Sequence, residues 1–244
     1  MIAADRPFVL LDDARSEGAS PARLYRDPVE TIVARTRDEV SEALERLRGE
    51  TQHVAGFVGY EAGLAIEPRL ATLGNDTPLP LAWFGLFEGY EEIAADAVAR
   101  FLPDPAGGWT AAPRPRLDRP AYDAAFERVA DYIAAGDIYQ VNLSLRADVA
   151  CAGHPLALYA GLRSRARAGY GGVVWTGEDW LLCLSPELFF ALKDGKVTTK
   201  PVTLGLVGHG RAEIVSGISD GETVVARAGT FVRDGDLVTP VATN

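Results

Sequence analysis

Hydrophobic and polar positions follow two different periods along the first 200 residues, which predicts a mixture of strands and helices. Short apolar runs typical of buried strands occupy Thr31–Ala34, His53–Tyr60 and Leu81–Phe87. Thr36 and Glu39 have the spacing of a capping box, and the apolar stripe after them predicts a helix.

A second group of elements is predicted after a proline-rich connection over residues 102–118. Asp118 can cap a helix with an apolar face that ends at Gly136. The segment Ile138–Arg146 then alternates strictly between apolar and polar residues, which predicts a strand. The polar face of that strand consists of Gln140, Asn142 and Ser144. A further helix is expected to begin at Pro155.

Two β-hairpins are predicted next. The first pairs Val173–Trp175 with Trp180–Leu184. The second pairs Leu188–Leu192 with Val197–Lys200 around the turn Asp194-Gly195.

The character of the sequence changes near residue 200. From Lys200 to Asn244 there is no Trp, no Tyr and a single Phe, and no stretch with helical periodicity. Valine and glycine dominate, and Asp220-Gly221 and Asp234-Gly235 have the form of hairpin turns. We therefore predict one domain over residues 1–198 and a small all-β tail over residues 199–244.

Composition limits the class of protein. The net charge of −10 argues against nucleic acid or an anionic membrane as the main partner. The apolar runs are shorter than a membrane span requires, and the first residues do not have the pattern of a signal peptide, so we expect a cytoplasmic protein. Cys151 and Cys183 have neither a disulfide framework nor metal-ligand spacing, and we expect both thiols to be buried and reduced.

Two segments are candidates for chemistry. The polar face of Ile138–Arg146 could line a site, although a solvated sheet face has the same pattern. In Ser185-Pro-Glu187 a carboxylate lies between two apolar runs, where it could serve as a general acid or base. An exposed glutamate at a strand end remains the alternative.

Three motifs together resemble a known family. Gly59-Tyr-Glu-Ala-Gly63, Ala135-Gly-Asp-Ile-Tyr-Gln-Val-Asn-Leu-Ser144 and Ser185-Pro-Glu-Leu-Phe-Phe190 resemble the chorismate-utilising enzymes in order and spacing. The likeness is greatest to component I of aminodeoxychorismate synthase and covers residues 1 to about 195. The related anthranilate synthase branch is an alternative.

The resemblance implies an α+β fold, with a partial antiparallel β-sandwich and outer helices. It also implies a transferase that aminates chorismate at C4, for p-aminobenzoate and folate biosynthesis, with ammonia from a separate glutaminase subunit. In the family, Mg²⁺ binds the substrate carboxylate through ligands from late segments, which this sequence lacks, so we predict no metal-ligating residues here.

By the same resemblance, Glu187 is the general acid/base at the leaving hydroxyl. Thr203 occupies the position of the family's lysine nucleophile, and a hydroxyl needs an activating base to replace it. We therefore expect an N-terminal half of such a subunit that is inactive by itself.

Two further resemblances give other expectations. Some relatives bind tryptophan, and the matching residues here are Leu11, Asp12, Tyr170 and Gly171. This leaves open a domain that binds tryptophan or a partner without catalysis. Residues from about 200 resemble the C-terminal β-domain of periplasmic efflux adaptor proteins, also called membrane fusion proteins. The chain would then be a chimera joined near residues 195–202.

Overall fold

A computed structural model describes residues 2, 4–70, 72–74, 77–188, 203–208 and 211–217 of the chain. The chain divides into two compact units, Met1–Pro186 and Glu187–Asn244. The domain boundary predicted between residues 198 and 199 lies outside the described residues.

Most of the described strands belong to the first unit. They are β1 (Phe8–Asp12), β2 (Ala22–Arg26), β3 (Glu30–Ala34), β4 (His53–Val58), β5 (Ala82–Phe87), β6 (Glu91–Ile93), β7 (Gly108–Thr110), β8 (Arg114–Pro115), β9 (Ala147–Asp148), β10 (Cys151–Gly153), β11 (Tyr170–Trp175) and β12 (Trp180–Ser185). The helices are α1 (Arg37–Leu47), α2 (Gly63–Ile66), α3 (Val98–Phe101), α4 (Arg119–Ala135) and α5 (Pro155–Ala166). Short 3-10 turns cover Tyr60–Ala62, Pro68–Leu70 and Pro105–Gly107.

Two antiparallel sheets form the centre of the first unit. The larger has the strand order β12-β11-β1-β2-β6, and the smaller has the order β3-β5-β4. Because side chains alternate along a strand, β1 sends Phe8 and Leu10 to one face and Val9 to the other. Val9 packs with Trp83 and Phe87 of the smaller sheet, so the two sheets face each other across this cluster.

Helices cover the outer faces of both sheets. Leu156 and Tyr159 of α5 and Val98 of α3 pack on the side of the larger sheet that holds Phe8 and Leu10. Val40 and Ala43 of α1 pack on the outer side of the smaller sheet. The predicted α+β class with antiparallel sheets is therefore confirmed.

Local signals in the sequence predicted several elements well. Thr36 and Glu39 form the capping box that starts α1, with both reciprocal hydrogen bonds present. Asp118 caps α4, and Gly136 ends it in the left-handed conformation at φ +82°. The first predicted hairpin is β11 with β12. Most of the second one lies outside the described residues.

The strand predicted over Ile138–Arg146 is wrong. This segment has no regular structure, and β9 begins only at Ala147. Its apolar residues Val141 and Leu145 are exposed, as is most of the apolar face of α4 before it. A strand requires a hydrogen-bonded neighbour, and the described residues provide none for residues 138–145, so alternation alone did not produce a strand.

The expectation of buried cysteines is also wrong. Both Cys151 and Cys183 are free and exposed. In β12 the neighbours Leu182 and Leu184 pack into the core beneath α5, so the alternation of side chains turns Cys183 to the opposite face.

The second unit contains an antiparallel pair of strands, β13 (Thr203–Gly208) and β14 (Arg211–Ser216). The hairpin turns predicted at Asp220-Gly221 and Asp234-Gly235 lie outside the described residues. No helix in the described part of the chain is long and apolar enough to span a membrane.

Candidate functional site

A buried ionic cluster ties the end of β1 to α5. The carboxylate of Asp12 accepts a hydrogen bond from the Tyr159 hydroxyl at 2.8 Å and two from Arg163, from Nε at 2.6 Å and from Nη2 at 3.0 Å. The Asp12 side chain is fully buried and that of Arg163 is only 14% exposed. Burial raises the pKa of Tyr159, and the hydrogen bond to Asp12 raises that of Arg163. The cluster is therefore a neutral phenol beside a fixed ion pair.

A second carboxylate organises the loop between β1 and β2. Asp13 accepts from Arg15 Nε at 2.9 Å and Nη2 at 2.6 Å, and from the backbone N–H of Ser20 at 2.9 Å. The hydrogen bonds from Arg15 hold the pKa of Asp13 well below its usual range. The loop is thus fixed by an ionised carboxylate at physiological pH.

Gly171 is required by the close approach of α5. It is the cross-strand partner of Asp12, and an added Cβ would lie 3.0 Å from the hydroxyl oxygen of Tyr159. The next residue, Gly172, faces the other side of the sheet, and a Cβ there would lie 2.5 Å from the carbonyl oxygen of Leu10. The two glycines thus let β11 lie close to both α5 and β1.

An apolar cleft of about 440 Å³ lies on the other side of the larger sheet. One wall comes from β1, β11 and β12, and includes Leu11, Tyr170 and Cys183. The opposite wall comes from β4 and the loop after it, and includes Val58 and Tyr60. Most of these side chains are large and apolar, and they are exposed, which is unusual for a surface without a ligand or partner.

An ion pair adjoins this cleft. Glu61 lines both the apolar cleft and a neighbouring cavity of about 400 Å³, and its carboxylate pairs with the guanidinium of Arg146 in that second cavity. Arg116 also lines the second cavity, and its guanidinium pairs with Asp148 at 2.6 Å. The same pair lowers the pKa of Asp148.

The predicted effector residues divide into two groups. Leu11, Tyr170 and Gly171 all line the cleft. Asp12 does not line it, because its side chain lies on the opposite face of β1 with Tyr159 and Arg163. Asp12 therefore fixes the strand behind the cleft and does not face a ligand in it.

The predicted polar face over Gln140, Asn142 and Ser144 lies elsewhere. All three residues are exposed in the irregular segment after α4, and none of them lines either of the two cavities. Their role in a substrate pocket remains a prediction. Arg146, at the end of the same segment, does line the second cavity.

Glu187 and Thr203 belong to the second unit. Glu187 is exposed and follows the end of β12 at Ser185. Thr203 begins β13, where its backbone is the partner of Ser216. Their catalytic assignment depends on the family resemblance.

A magnesium site would require oxygen ligands gathered at one place among the residues that the structure describes. Within those residues, no three His, Cys, Asp or Glu side chains come close enough together to hold a metal ion. The carboxylates of Asp12, Asp13 and Glu61 each pair with an arginine. The described residues therefore do not fit a magnesium site.

Sequence reasoning missed the residues that fix the cleft. Tyr159 and Arg163 are four residues apart and therefore share a face of α5, but this spacing does not reveal that Asp12 lies opposite. Glu61 lies inside the motif Gly59–Gly63, and only its contact with Arg146, 85 residues later, reveals its surroundings. Pairs this far apart in sequence have no local signal.

The first unit thus consists of two packed sheets with helices outside them and a cleft beside the larger sheet. The family model described as chorismate binding enzyme matches residues 6–203, and the chain belongs to that family.

Relatives of this chain are found among both the aminodeoxychorismate synthases and the anthranilate synthases. The chain is 32% identical over 166 residues to aminodeoxychorismate synthase component 1 of Klebsiella aerogenes, covering 60% of this chain and 37% of that protein. It is 34% identical over 179 residues to 2-amino-4-deoxychorismate synthase of Streptomyces globisporus, covering 60% and 36%. To anthranilate synthase component 1 of Thermus thermophilus it is 43% identical over 86 residues, covering 35% and 19%. The chain thus spans less than half the length of these relatives.

Proposed function

We propose that this chain is of the aminodeoxychorismate synthase component 1 type, the branch that aminates chorismate at C4, and that it is inactive by itself. The observation that supports the branch is the motif Tyr139-Gln-Val-Asn-Leu143, together with relatives of that name at about 30% identity. By resemblance, Glu187 moves the proton at the leaving hydroxyl. In the family, a separate glutaminase subunit supplies the ammonia, and Mg²⁺ would supply charge neutralisation at the substrate carboxylate.

Inactivity follows from the residue at position 203. The family's step needs an amine nucleophile, and Thr203 offers a hydroxyl, which attacks poorly unless a base removes its proton. The described residues also provide no magnesium site. The first unit then supplies a folded scaffold without a complete set of catalytic groups.

A graft tests whether the retained residues can serve as the N-terminal half of an aminodeoxychorismate synthase. Residues 199–244 are replaced by the corresponding C-terminal part of the Klebsiella aerogenes relative, and the product formed from chorismate, ammonium and Mg²⁺ is identified by chromatography. We expect aminodeoxychorismate, and we expect Glu187→Gln in the graft to abolish it. Anthranilate as the product would assign the chain to the anthranilate synthase branch instead.

We propose ligand binding in the cleft as a second function, independent of catalysis. The supporting observation is that Leu11, Tyr170 and Gly171, matched to the tryptophan pocket of relatives, line one apolar cleft. Calorimetric titration of the intact chain with tryptophan tests it. Binding that Tyr170→Ala weakens is expected, and no heat at millimolar tryptophan would contradict it.

We also propose that residues 199–244, which resemble the C-terminal β-domain of efflux adaptors, have a different origin from the rest of the chain. The described hairpin of β13 and β14 is compatible with an all-β tail. The family match ends at Thr203, close to the expected junction.

A further inference from the structure

The pair Glu61–Arg146 joins the two cavities beside the larger sheet. Glu61 lies in the 3-10 turn that follows β4, and Arg146 immediately precedes β9. Glu61, Thr77 and Leu79 line both cavities, so the apolar cleft continues directly into the cavity that contains the arginine. An apolar wall and a guanidinium therefore meet in one continuous depression.

The two parts of this depression suit different parts of one ligand. Leu11, Val58, Tyr170 and Leu181 offer hydrocarbon and aromatic surface to a ring. The guanidinium of Arg146 is planar and matches the geometry of a carboxylate. In the structure that position is filled by the protein's own carboxylate, Glu61.

We propose that the cleft binds a small ring compound bearing a carboxylate, that this carboxylate binds Arg146, and that Glu61 is an internal competitor that the ligand displaces. The inference rests on the second function proposed above, ligand binding in this cleft. It does not depend on amination of chorismate.

The exposure of Arg146 makes displacement feasible, and the burial of Glu61 gives it a cost. The Arg146 side chain is 59% exposed, so a ligand carboxylate can approach its guanidinium from solvent. Displacing Glu61 leaves a largely buried carboxylate without its counter-charge, and this cost weakens the binding of an acid. Glu61 is only 17% exposed, so it stays close to the ligand after losing Arg146. Its negative charge then repels the ligand carboxylate, which weakens binding of acids and not of neutral rings.

The test compares an acid with its neutral amide. Indole-3-propionate and indole-3-propionamide share the ring and differ in charge, and their dissociation constants for the intact chain are measured by calorimetry and ligand-observed NMR at pH 7. Glu61→Gln is expected to tighten binding of the acid by about two- to fivefold and to leave the amide unchanged. Arg146→Gln is expected to reduce the affinity for the acid below that for the amide, because Glu61 then repels the carboxylate with no positive charge to oppose it.

A control is Glu91→Gln, which removes the carboxylate of an exposed pair with Arg26 at the far edge of the larger sheet. It should leave both dissociation constants unchanged, and the urea midpoint of each variant is measured to check folding. Equal binding of acid and amide in every variant would overturn the role of Arg146 and Glu61 while leaving the cleft as a site. Failure of both probes to bind would overturn this inference and the second proposed function together, whatever the grafted chain does with chorismate.

Discussion

Asp12→Asn tests whether the buried ionic cluster holds α5 against β1. The substitution keeps the size of the side chain and removes the charge that Arg163 contacts at 2.6 Å. Because the Asp12 side chain is fully buried and Arg163 nearly so, the remaining guanidinium would be left without a counter-charge. Breaking a buried pair in this way typically destabilises a protein by about 3–5 kcal/mol.

We expect Asp12→Asn to lower the free energy of unfolding by about 3 kcal/mol, at the lower end of that range, since the amide oxygen can still accept one hydrogen bond. With an m-value of about 2 kcal/mol per M urea, the midpoint falls by about 1.5 M. Tyr159→Phe removes only one hydrogen bond to the carboxylate and should cost about 1.5 kcal/mol. The first unit contains every tryptophan of the chain, so fluorescence reports on its unfolding alone. These residues are Trp83, Trp109, Trp175 and Trp180.

Asp148→Asn is the matched control, because Asp148 pairs with Arg116 at the same distance of 2.6 Å but on the surface. Its midpoint should not change measurably. If Asp12→Asn moved the midpoint no further than Asp148→Asn does, the cluster would not hold the strand and the helix together.

Three further outcomes follow from the structure. Thr36→Ala removes the cap of α1 and should destabilise the first unit by about 1 kcal/mol in urea unfolding; an unchanged midpoint would show that the capping box contributes nothing. The pKa of Asp13 in the folded protein is below its unfolded value of about 3.9. Asp13 therefore stabilises the fold fully above about pH 3.9, and this stabilisation is lost as the pH falls toward the folded-state pKa. Asp13→Asn should therefore lower the urea midpoint at pH 7 and lower it less at pH 3. An equal shift of the midpoint at both pH values would show that the charge of Asp13 does not stabilise the fold. Both Cys151 and Cys183 should react with a thiol reagent in the native protein, and a thiol that reacted only after denaturation would contradict the exposed positions.

Local features of the sequence predicted the elements whose signals are local. The capping box at Thr36, the cap at Asp118 and the left-handed glycine at Gly136 each involve residues close together in the chain, and each is present in the structure. The hairpin of β11 and β12 was predicted for the same reason. Such signals act within one turn or one hairpin, so they can be read without knowledge of the tertiary fold.

The prediction at Ile138–Arg146 failed because alternation of apolar and polar residues does not supply a neighbouring strand. The burial of the cysteines was predicted from residue type, whereas the register of β12 decides which face Cys183 occupies. The cluster of Asp12 with Arg163 joins residues 151 positions apart, and the pair of Glu61 with Arg146 joins residues 85 apart. Only the tertiary packing of α5 and of the segment before β9 brings these groups together.

The chain belongs to the chorismate binding enzyme family, and we propose that Thr203 stands where the family has its amine nucleophile. The most direct measurement is incubation of the purified 244-residue chain with chorismate, ammonium and Mg²⁺, followed by chromatographic detection of aminodeoxychorismate and anthranilate. A full-length relative such as the Klebsiella aerogenes protein serves as the positive control. We expect product from the relative and none above background from this chain. Product that depends on the presence of this chain, and that Glu187→Gln abolishes, would contradict the account.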